Sequence, residues 1–318
     1  MNRISVNPKL LQWARERADI PIHILVRSFP KYELWEKTQA SPTMNQLEQL
    51  AKKTYTPLGC FFLSEPPIEK LPIPDFRTLK DGMPIRPTPN LFDTIRIIQH
   101  RQNWLREYLI EQGEDTLPFI ESVKLSDRIE DVTTRIRNAL GLPMDWAEKE
   151  KTWTDSLVKL RNAIEKTGIL TTFNGVVGNN THRHLNVEEF RGFVLIDEYA
   201  PFIFVNSSDA KAAQIFTLAH ELAHIWLGVG GVFNLRQMQP SDNEAEIFCN
   251  QVAAEFLVPK DAIKPKWKDV RTKENPFNEL ARIFKVSPLV ISRRALDLGL
   301  ISKNRFFEFY NEYMENAE

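Results

Sequence analysis

Residues 211–228 read KAAQIFTLAHELAHIWLG and decide how the rest of the chain is interpreted. The stretch is rich in apolar and small residues and holds no proline, which predicts a helix over about Lys211–Leu227. Gly228 follows, with Gly230 and Gly231 just beyond, and glycine is the usual residue after a helix end. The sequence therefore predicts one strong helix with a defined stop.

Two histidines, His220 and His224, lie four residues apart on this helix. At that spacing two side chains share one face, so both imidazoles can reach one zinc-sized ion at about 2.0–2.1 Å. Glu221 follows the first histidine and can stand beside the ion without binding it. There it can accept a proton from an attacking water molecule as a general base. This His-Glu-x-x-His pattern predicts the metal site of a peptide hydrolase.

A catalytic zinc site usually has three protein ligands and one open position, so a third ligand is needed. No histidine follows His224. A metzincin is excluded, because Leu227 and Gly230 stand where that class needs glycine and histidine. A second helix is predicted over about Asp242–Leu257, and a glutamate from it is the natural ligand. The downstream glutamates considered are Glu244, Glu246 and Glu255.

We predict Glu246 as the third ligand. It lies one turn before Asn250 on the same helix face, so Asn250 could orient it. Glu244 is the alternative, but the run SDNE at 241–244 fits a capping box, which gives Glu244 a structural role. Glu255 lies too near the helix end.

Other roles around the metal stay open. Cys249 is interpreted as a small buried residue, with a closed structural zinc site as the alternative. An additional donor should stabilise the oxyanion. We assign this role to none of its candidates, which are His182, Arg183, His184 and Tyr199. The predicted strand Phe202–Val205 could pair with substrate through its backbone, provided that one edge of it is free.

Two runs carry a family resemblance: FTLAHELAHIWLG at 216–228 and EIFCNQVAAEFLVP at 246–259 resemble the ImmA/IrrE metallopeptidases. The stretches 175–214 and PIPDFRTL at 72–79 are also similar to that family. The resemblance implies a zincin-like domain of the gluzincin kind. It also implies His220, His224 and Glu246 as ligands and Glu221 as base. Peptide deformylase shares the motif but takes an upstream cysteine as ligand, and Cys60, the only one here, lies in another predicted domain.

The resemblance also implies a substrate class, because such proteins are associated with cleaving repressors or antitoxin-like regulators and with toxin–antitoxin loci. Zinc is the expected cofactor for this nitrogen and oxygen ligand set, with Mn²⁺ or Fe²⁺ as alternatives. The predicted function is thus a metal-dependent endopeptidase that acts on a cytoplasmic protein. The rival function is a DNA-binding regulator or antitoxin-like protein with a structural metal site.

The predicted fold class is α+β, predominantly helical, with a small β-sheet in the zincin-like domain. Five segments are expected. They are a degenerate Xre-type helix-turn-helix at 1–65, a proline-rich linker at 66–89, a helical connector at 90–150, the zincin-like metallopeptidase domain at 151–260, and a helix-turn-helix-like module at 261–318.

DNA binding is possible but doubtful for both flanking modules. In the first, Pro30 lies where most of a recognition helix should fit, and proline breaks helices. In the second, Arg293 and Arg294 could contact phosphate, but a module packed on the peptidase is the favoured interpretation. The formal net charge of -1 also argues against a bulk polyanion binder.

The expected location is the cytoplasm. The chain has 2 cysteines, and they lie too far apart in sequence to suggest a disulfide framework. No stretch approaches the roughly 20 apolar residues of a membrane span, and the first residues lack the apolar core of a secretory signal.

Overall fold

The computed structural model describes residues 3–74, 87–233 and 243–316. The first of these segments contains helices α1 (Pro8–Arg17), α2 (Ile22–Ser28), α3 (Tyr32–Glu36) and α4 (Met44–Lys53), then a 3-10 helix (Leu58–Phe62). Asn7 caps α1, and Thr43 forms a capping box with Gln46 at the start of α4. An apolar cluster that includes Leu10, Trp35 and Phe61 holds these helices together.

The N-terminal helices do not confirm a helix-turn-helix. A recognition helix needs several turns, but α3 has 5 residues. Pro30 lies between α2 and α3, so neither helix extends through that point. The domain boundaries given above remain predictions.

Three helices lead to the sheet: α5 (Pro89–Gln112), α6 (Ile129–Leu140) and α7 (Trp153–Glu165). Thr88 caps α5 with Pro89 in its first turn, and Gly113 ends it at φ 75°, where a left-handed residue is required.

The described residues form a four-stranded sheet in the order β1-β5-β4-β6. The strands are β1 (Leu170–Asn174), β2 (Val176–Val177), β3 (Asn180–His184), β4 (Gly192–Leu195), β5 (Phe202–Asn206) and, after helix α8 (Lys211–Leu227), β6 (Gly231–Phe233). β1 runs parallel to β5, while β4 is antiparallel to both β5 and β6. β2 and β3 form a separate two-stranded sheet.

The prediction that the strand Phe202–Val205 pairs with substrate is wrong. This strand is β5, and both of its edges are filled, by β1 on one side and β4 on the other. Its backbone donors and acceptors are therefore used within the sheet.

The sheet lies between two apolar layers, and alternate side chains of β4 and β5 face opposite ways. Phe193 and Phe204 belong to a cluster that includes Leu91 and Ile95 of α5. Val194 and Ile203 belong to the larger cluster that includes α8. This arrangement places α8 against one sheet face and α5 against the other.

The last described segment, residues 243–316, contains five helices: α9 (Glu244–Leu257), α10 (Lys260–Val270), α11 (Pro276–Phe284), α12 (Pro288–Asp297) and α13 (Lys303–Glu315). They share the larger apolar cluster, which runs from Val123 to Phe306. The α+β, predominantly helical fold class is thus confirmed. Among the helices described, none is both long and apolar enough to cross a lipid bilayer.

The phosphate-contact hypothesis for Arg294 is wrong. This side chain is buried, donates a hydrogen bond to the Val258 carbonyl at 3.0 Å and forms an ion pair with Glu255. Arg293 is the solvent-facing neighbour and pairs with Asp297 one turn on, at 3.0 Å. Arg294 therefore joins α12 to the end of α9.

Candidate metal centre

Helix α8 brings His220 and His224 onto one buried face. Both residues are 0% exposed, and their Nε2 atoms lie 3.0 Å apart. The helix passes through the core, with every residue from Gln214 to Trp226 buried. It ends at Leu227, and Gly228 follows in the left-handed conformation with φ 75°, which confirms the predicted glycine stop. The rigidity of a packed helix fixes the spacing of the two imidazoles.

Helix α9 brings Glu246 to the same point. Its Oε2 lies 3.4 Å from Nε2 of His220, and its Oε1 lies 3.2 Å from Nε2 of His224. One ligand atom from each of the three residues lies within 4.8 Å of the other two. The side chains are buried, so the group sits inside the domain.

These residues fit a divalent metal ion in charge state as well as in position. Burial lowers the pKa of His224 to about 4, so its imidazole is neutral at pH 7, as metal ligation requires. Burial would raise the pKa of Glu246, but hydrogen bonds to His220 and His224, and the positive charge of these imidazoles when they are protonated, outweigh it and lower that pKa to about 2. Two imidazole nitrogens and a carboxylate form a ligand set that suits zinc.

Glu221 is the second carboxylate of the site. It is 0% exposed, and neither carboxylate oxygen has a hydrogen-bond partner among the described residues. Burial, and then the charge of Glu246, raise the pKa of Glu221 well above its ordinary value. A buried carboxylate without hydrogen bonds is costly, and a cation and a water molecule at the site would offset that cost.

The other glutamates of α9 have different positions. Glu244 is exposed, while Glu246 is 5% exposed. Asn243 caps the helix, with its side chain accepting from the backbone of Ala245, so Glu244 is the first helical residue and does not complete a capping box. Ser241, predicted as the cap, lies outside the described residues. Glu255 forms an ion pair with Arg294 and accepts a hydrogen bond from the backbone N–H of Lys260.

Cys249 and Asn250 are two further residues of α9 with a predicted role at the site. Cys249 is 0% exposed but is not part of the histidine–glutamate group. Burial, and then the charges of Glu246 and Glu221, raise the pKa of its thiol well above the usual value, so the thiol keeps its proton. No hydrogen bond joins Asn250 to Glu246, both of which are described, so the orienting role of Asn250 stays a prediction.

The four candidates for the oxyanion role lie on the β2–β3 hairpin and beside α5. His182 and His184 are exposed on β3. Arg183 pairs with Asp93 at 2.7 Å, and the Tyr199 ring lies under the Arg106 guanidinium. The role stays unassigned.

Gly192 is the site residue that sequence analysis missed. A Cβ at this position would lie 2.9 Å from Oε1 of Glu221, so the bare backbone of β4 lies against the catalytic candidate. The only signal in the sequence is a glycine at the start of the apolar run GFVL. Glycine in a strand often marks a close approach by another group.

Comparison with known proteins finds one family model that covers this site. No curated protein matches the chain. A family model described as Peptidase_M78, IrrE N-terminal-like domain, matches residues 164–296. The matched range contains α8 and α9, and with them the three grouped residues and Glu221. Residues 164–296 are therefore similar to the IrrE N-terminal-like domain of the Peptidase_M78 family, which is consistent with the predicted resemblance to the ImmA/IrrE metallopeptidases.

Proposed function

We propose that this chain is a zinc-dependent endopeptidase that cleaves a cytoplasmic protein, with a repressor or antitoxin-like regulator as the substrate class. The family supports metallopeptidase activity in general. The carrying observation is the buried Glu221, whose carboxylate has no hydrogen-bond partner among the described residues, beside three residues that can hold a metal ion.

His220, His224 and Glu246 would hold the ion. When bound, a divalent ion supplies Lewis acidity, which polarises a carbonyl and makes a water molecule more acidic. The three residues would supply three protein ligands, the number that catalytic zinc sites usually have. A structural zinc site would need a fourth protein ligand, and Cys249 is not grouped with the other three.

Glu221 acts as the general base. Its carboxylate accepts a proton from the water that attacks the scissile carbonyl, and then donates it to the leaving amine. Neither oxygen of this buried carboxylate is engaged by a hydrogen-bond donor among the described residues, so both can accept a proton from a water molecule at the site. Burial also keeps bulk water away from the transferred proton.

The Glu221→Gln variant tests this function. Hydrolysis of quenched-fluorescent casein should fall by about 10²–10⁴-fold, the usual contribution of a general base. Metal content by elemental analysis should stay at the wild-type level, since a glutamine at this position would leave the three ligands intact. Glu244→Gln, with the same loss of charge at an exposed position on α9, should change neither quantity. Equal hydrolysis by Glu221→Gln and wild type would refute the assignment.

A further inference from the structure

Helix α5 packs on the sheet with one side and leaves the opposite side open to solvent. Ile95, Ile98 and Gln102 are buried on the packed side. Trp104 and Tyr108 lie on the open side, where they are 68% and 47% exposed. Tryptophan is highly buried in most proteins, and exposed aromatic surface is a common mark of an interaction site. The open side of α5 is therefore a candidate contact surface.

The two exposed aromatic rings already form one flat surface. The ring centroids of Trp104 and Tyr108 lie 5.9 Å apart, and the two ring planes differ by 9°. Because the stacked pair is ordered before any partner arrives, little side-chain freedom is lost when a partner covers it. Tryptophan and tyrosine are also among the residues that contribute most to binding at protein interfaces. The pair is thus suited to the centre of a protein–protein contact.

The aromatic pair belongs to a row of residues with coiled-coil spacing, which we call the α5 stripe. The stripe consists of Ile97, Arg101, Trp104, Tyr108 and Glu111, which follow one another at alternating intervals of four and three residues. This alternation places side chains in one seam along a helix, the seam that meets a second helix in a coiled coil. The spacing of the stripe therefore fits another helix as its partner.

Charge is separated along the stripe. Arg101 and Glu111 are both exposed, on opposite sides of the aromatic pair. Arg101 has no acidic residue three or four positions away, and Glu111 has no basic one, so neither charge is compensated within its own helix. Arg106 lies between them but pairs with Asp197 at 2.9 Å. The partner of the stripe should therefore supply an acid beside Arg101 and a base beside Glu111.

The end of α5 has a further need for a positive charge. The carbonyl groups at the C-terminus of a helix carry a partial negative charge, which a cation stabilises and a carboxylate destabilises. The last turn of α5 contains Glu111 and no basic residue. A cation from another molecule beside Glu111 would therefore offset the repulsion between this carboxylate and the helix end.

We propose that a second copy of this chain covers the α5 stripe, with the two α5 helices antiparallel about a twofold axis at residue 106. Positions at equal distances on either side of that residue then face each other. Trp104 faces the partner's Tyr108, and Arg101 faces the partner's Glu111. A twofold interface uses the same patch on both copies, so each contact occurs twice. Four aromatic rings thus meet at the centre, with an ion pair at each end.

The dimer should be weak, because the stripe extends over only about four helical turns. Small interfaces lie at the low end of specific protein contacts, so we expect a dissociation constant on the order of micromolar. Dimer formation is independent of the proposed peptidase function, because it uses neither the metal-binding residues nor Glu221. Failure of either proposal leaves the other intact.

Arg101→Glu and Glu111→Arg test the pairing in the full chain. Each change alone places like charges opposite each other at both ends of the stripe, so association should weaken about tenfold or more. An equimolar mixture of the two variants should associate like wild type, because every facing pair then has opposite charges. The double variant Arg101→Glu/Glu111→Arg should also associate like wild type. Sedimentation velocity from about 1 to 100 μM protein measures these differences.

Matched controls separate the stripe from general effects of charge and apolar surface. Arg271→Glu makes the same charge change at an exposed residue beyond the end of α10, so it should associate like wild type. Trp104→Ser should weaken association about tenfold or more, since it removes half of the aromatic centre. Phe307→Ser removes a 56% exposed aromatic side chain from α13 and should have no effect.

Three results would overturn the proposal. The first is a wild-type chain that stays monomeric over the whole concentration range. The second is association that Arg101→Glu, Glu111→Arg and Trp104→Ser leave unchanged, or that the two controls weaken equally, because the contact would then lie elsewhere. The third is loss of association in both single charge variants without recovery in their mixture, which would exclude the antiparallel pairing of Arg101 with Glu111.

Discussion

Gly192 and Glu221 are in such close contact that residue 192 has no room for a side chain. A Cβ there would lie 2.9 Å from Oε1 of Glu221, 2.6 Å from Cγ2 of Thr217 and 2.9 Å from the carbonyl oxygen of Phe204. The Phe204 oxygen belongs to the backbone and cannot rotate away from an added side chain. The first strand residue of β4 therefore helps to fix where the carboxylate of the proposed base stands.

The Gly192→Ala variant should lose activity while it keeps its metal. The added methyl displaces Glu221, and a misplacement of about 1 Å can lower a rate by about 100-fold. His220, His224 and Glu246 are not among the three nearest neighbours of the added atom, so metal content should be unchanged. Stability should fall by about 1–3 kcal/mol through overpacking. Casein hydrolysis, elemental analysis and urea unfolding measure the three effects.

Two further variants identify the cause. Gly59→Ala adds the same methyl where nothing lies within 4 Å, and it should change neither activity nor metal content. Adding Thr217→Ser to Gly192→Ala removes the 2.6 Å contact, so it should restore part of the stability but little of the activity. Full activity in Gly192→Ala would show that Glu221 tolerates displacement.

Glu246→Ala should abolish stoichiometric metal binding, whereas Glu244→Ala should leave it intact. Glu246 is buried with its oxygens 3.2–3.4 Å from the two imidazoles, and Glu244 is exposed. Elemental analysis of proteins purified without chelator, and again after zinc is added, measures the difference. Loss of metal from Glu244→Ala instead would move the third ligand to that residue and contradict the described group.

The local part of the site could be predicted from the sequence. The four-residue spacing of His220 and His224 and the stop at Gly228 depend only on helix geometry, and the structure has both as predicted. The prediction of Glu246 rather than Glu244 also agrees with their burial. The capping argument behind it took Ser241 as the cap, whereas Asn243 caps the helix.

The non-local part could not be predicted. β6 has 3 residues, too few to show a period, and it fills the edge of β4 only because the chain returns after α8. Strand order depends on where the chain returns to the sheet. The prediction that β5 has a free edge was therefore wrong. The contact of Gly192 with Glu221 likewise joins residues 29 positions apart, and composition gives no measure of that distance.

Chelated Glu221→Gln should be more stable than chelated wild type at pH 7. Burial raises the pKa of Glu221 well above 4.5, so above that pH the folded state keeps a proton that the unfolded state releases. The folded state then binds more protons, and its stability falls as the pH rises. Glutamine cannot ionise, so the variant does not lose this stability. Its free energy of unfolding should exceed that of wild type by at least about 1 kcal/mol for each unit by which the pKa of Glu221 is raised.

Urea unfolding in EDTA across pH 4 to 8 measures this difference. The free energies of unfolding of the two proteins should converge at about pH 4, where Glu221 is mostly protonated in the folded and the unfolded state. Glu244→Gln, exposed on the same helix as Glu246, is the control and should follow wild type. A constant difference at all pH values would mean that the substitution acts through packing and not through ionisation.

Arg294→Ala should destabilise the protein strongly. Arg294 is 8% exposed and connects α12 to the Glu255 carboxylate and the Val258 carbonyl. Its removal leaves Glu255 buried without its cation, and breaking a buried pair in this way costs about 3–5 kcal/mol. Because α9 also carries Glu246, metal should be lost at a lower urea concentration than in wild type.

Arg293→Ala is the matched control, because Arg293 is the adjacent residue on α12 and its ion pair with Asp297 is exposed. Exposed pairs one helical turn apart contribute about 0.3–0.5 kcal/mol, so this variant should unfold almost like wild type. A protein that uses both arginines on DNA would present both to solvent, and both variants would then unfold alike. Similar urea midpoints of unfolding for Arg293→Ala and Arg294→Ala would thus contradict the buried position of Arg294. They would also reopen the hypothesis that this residue contacts phosphate.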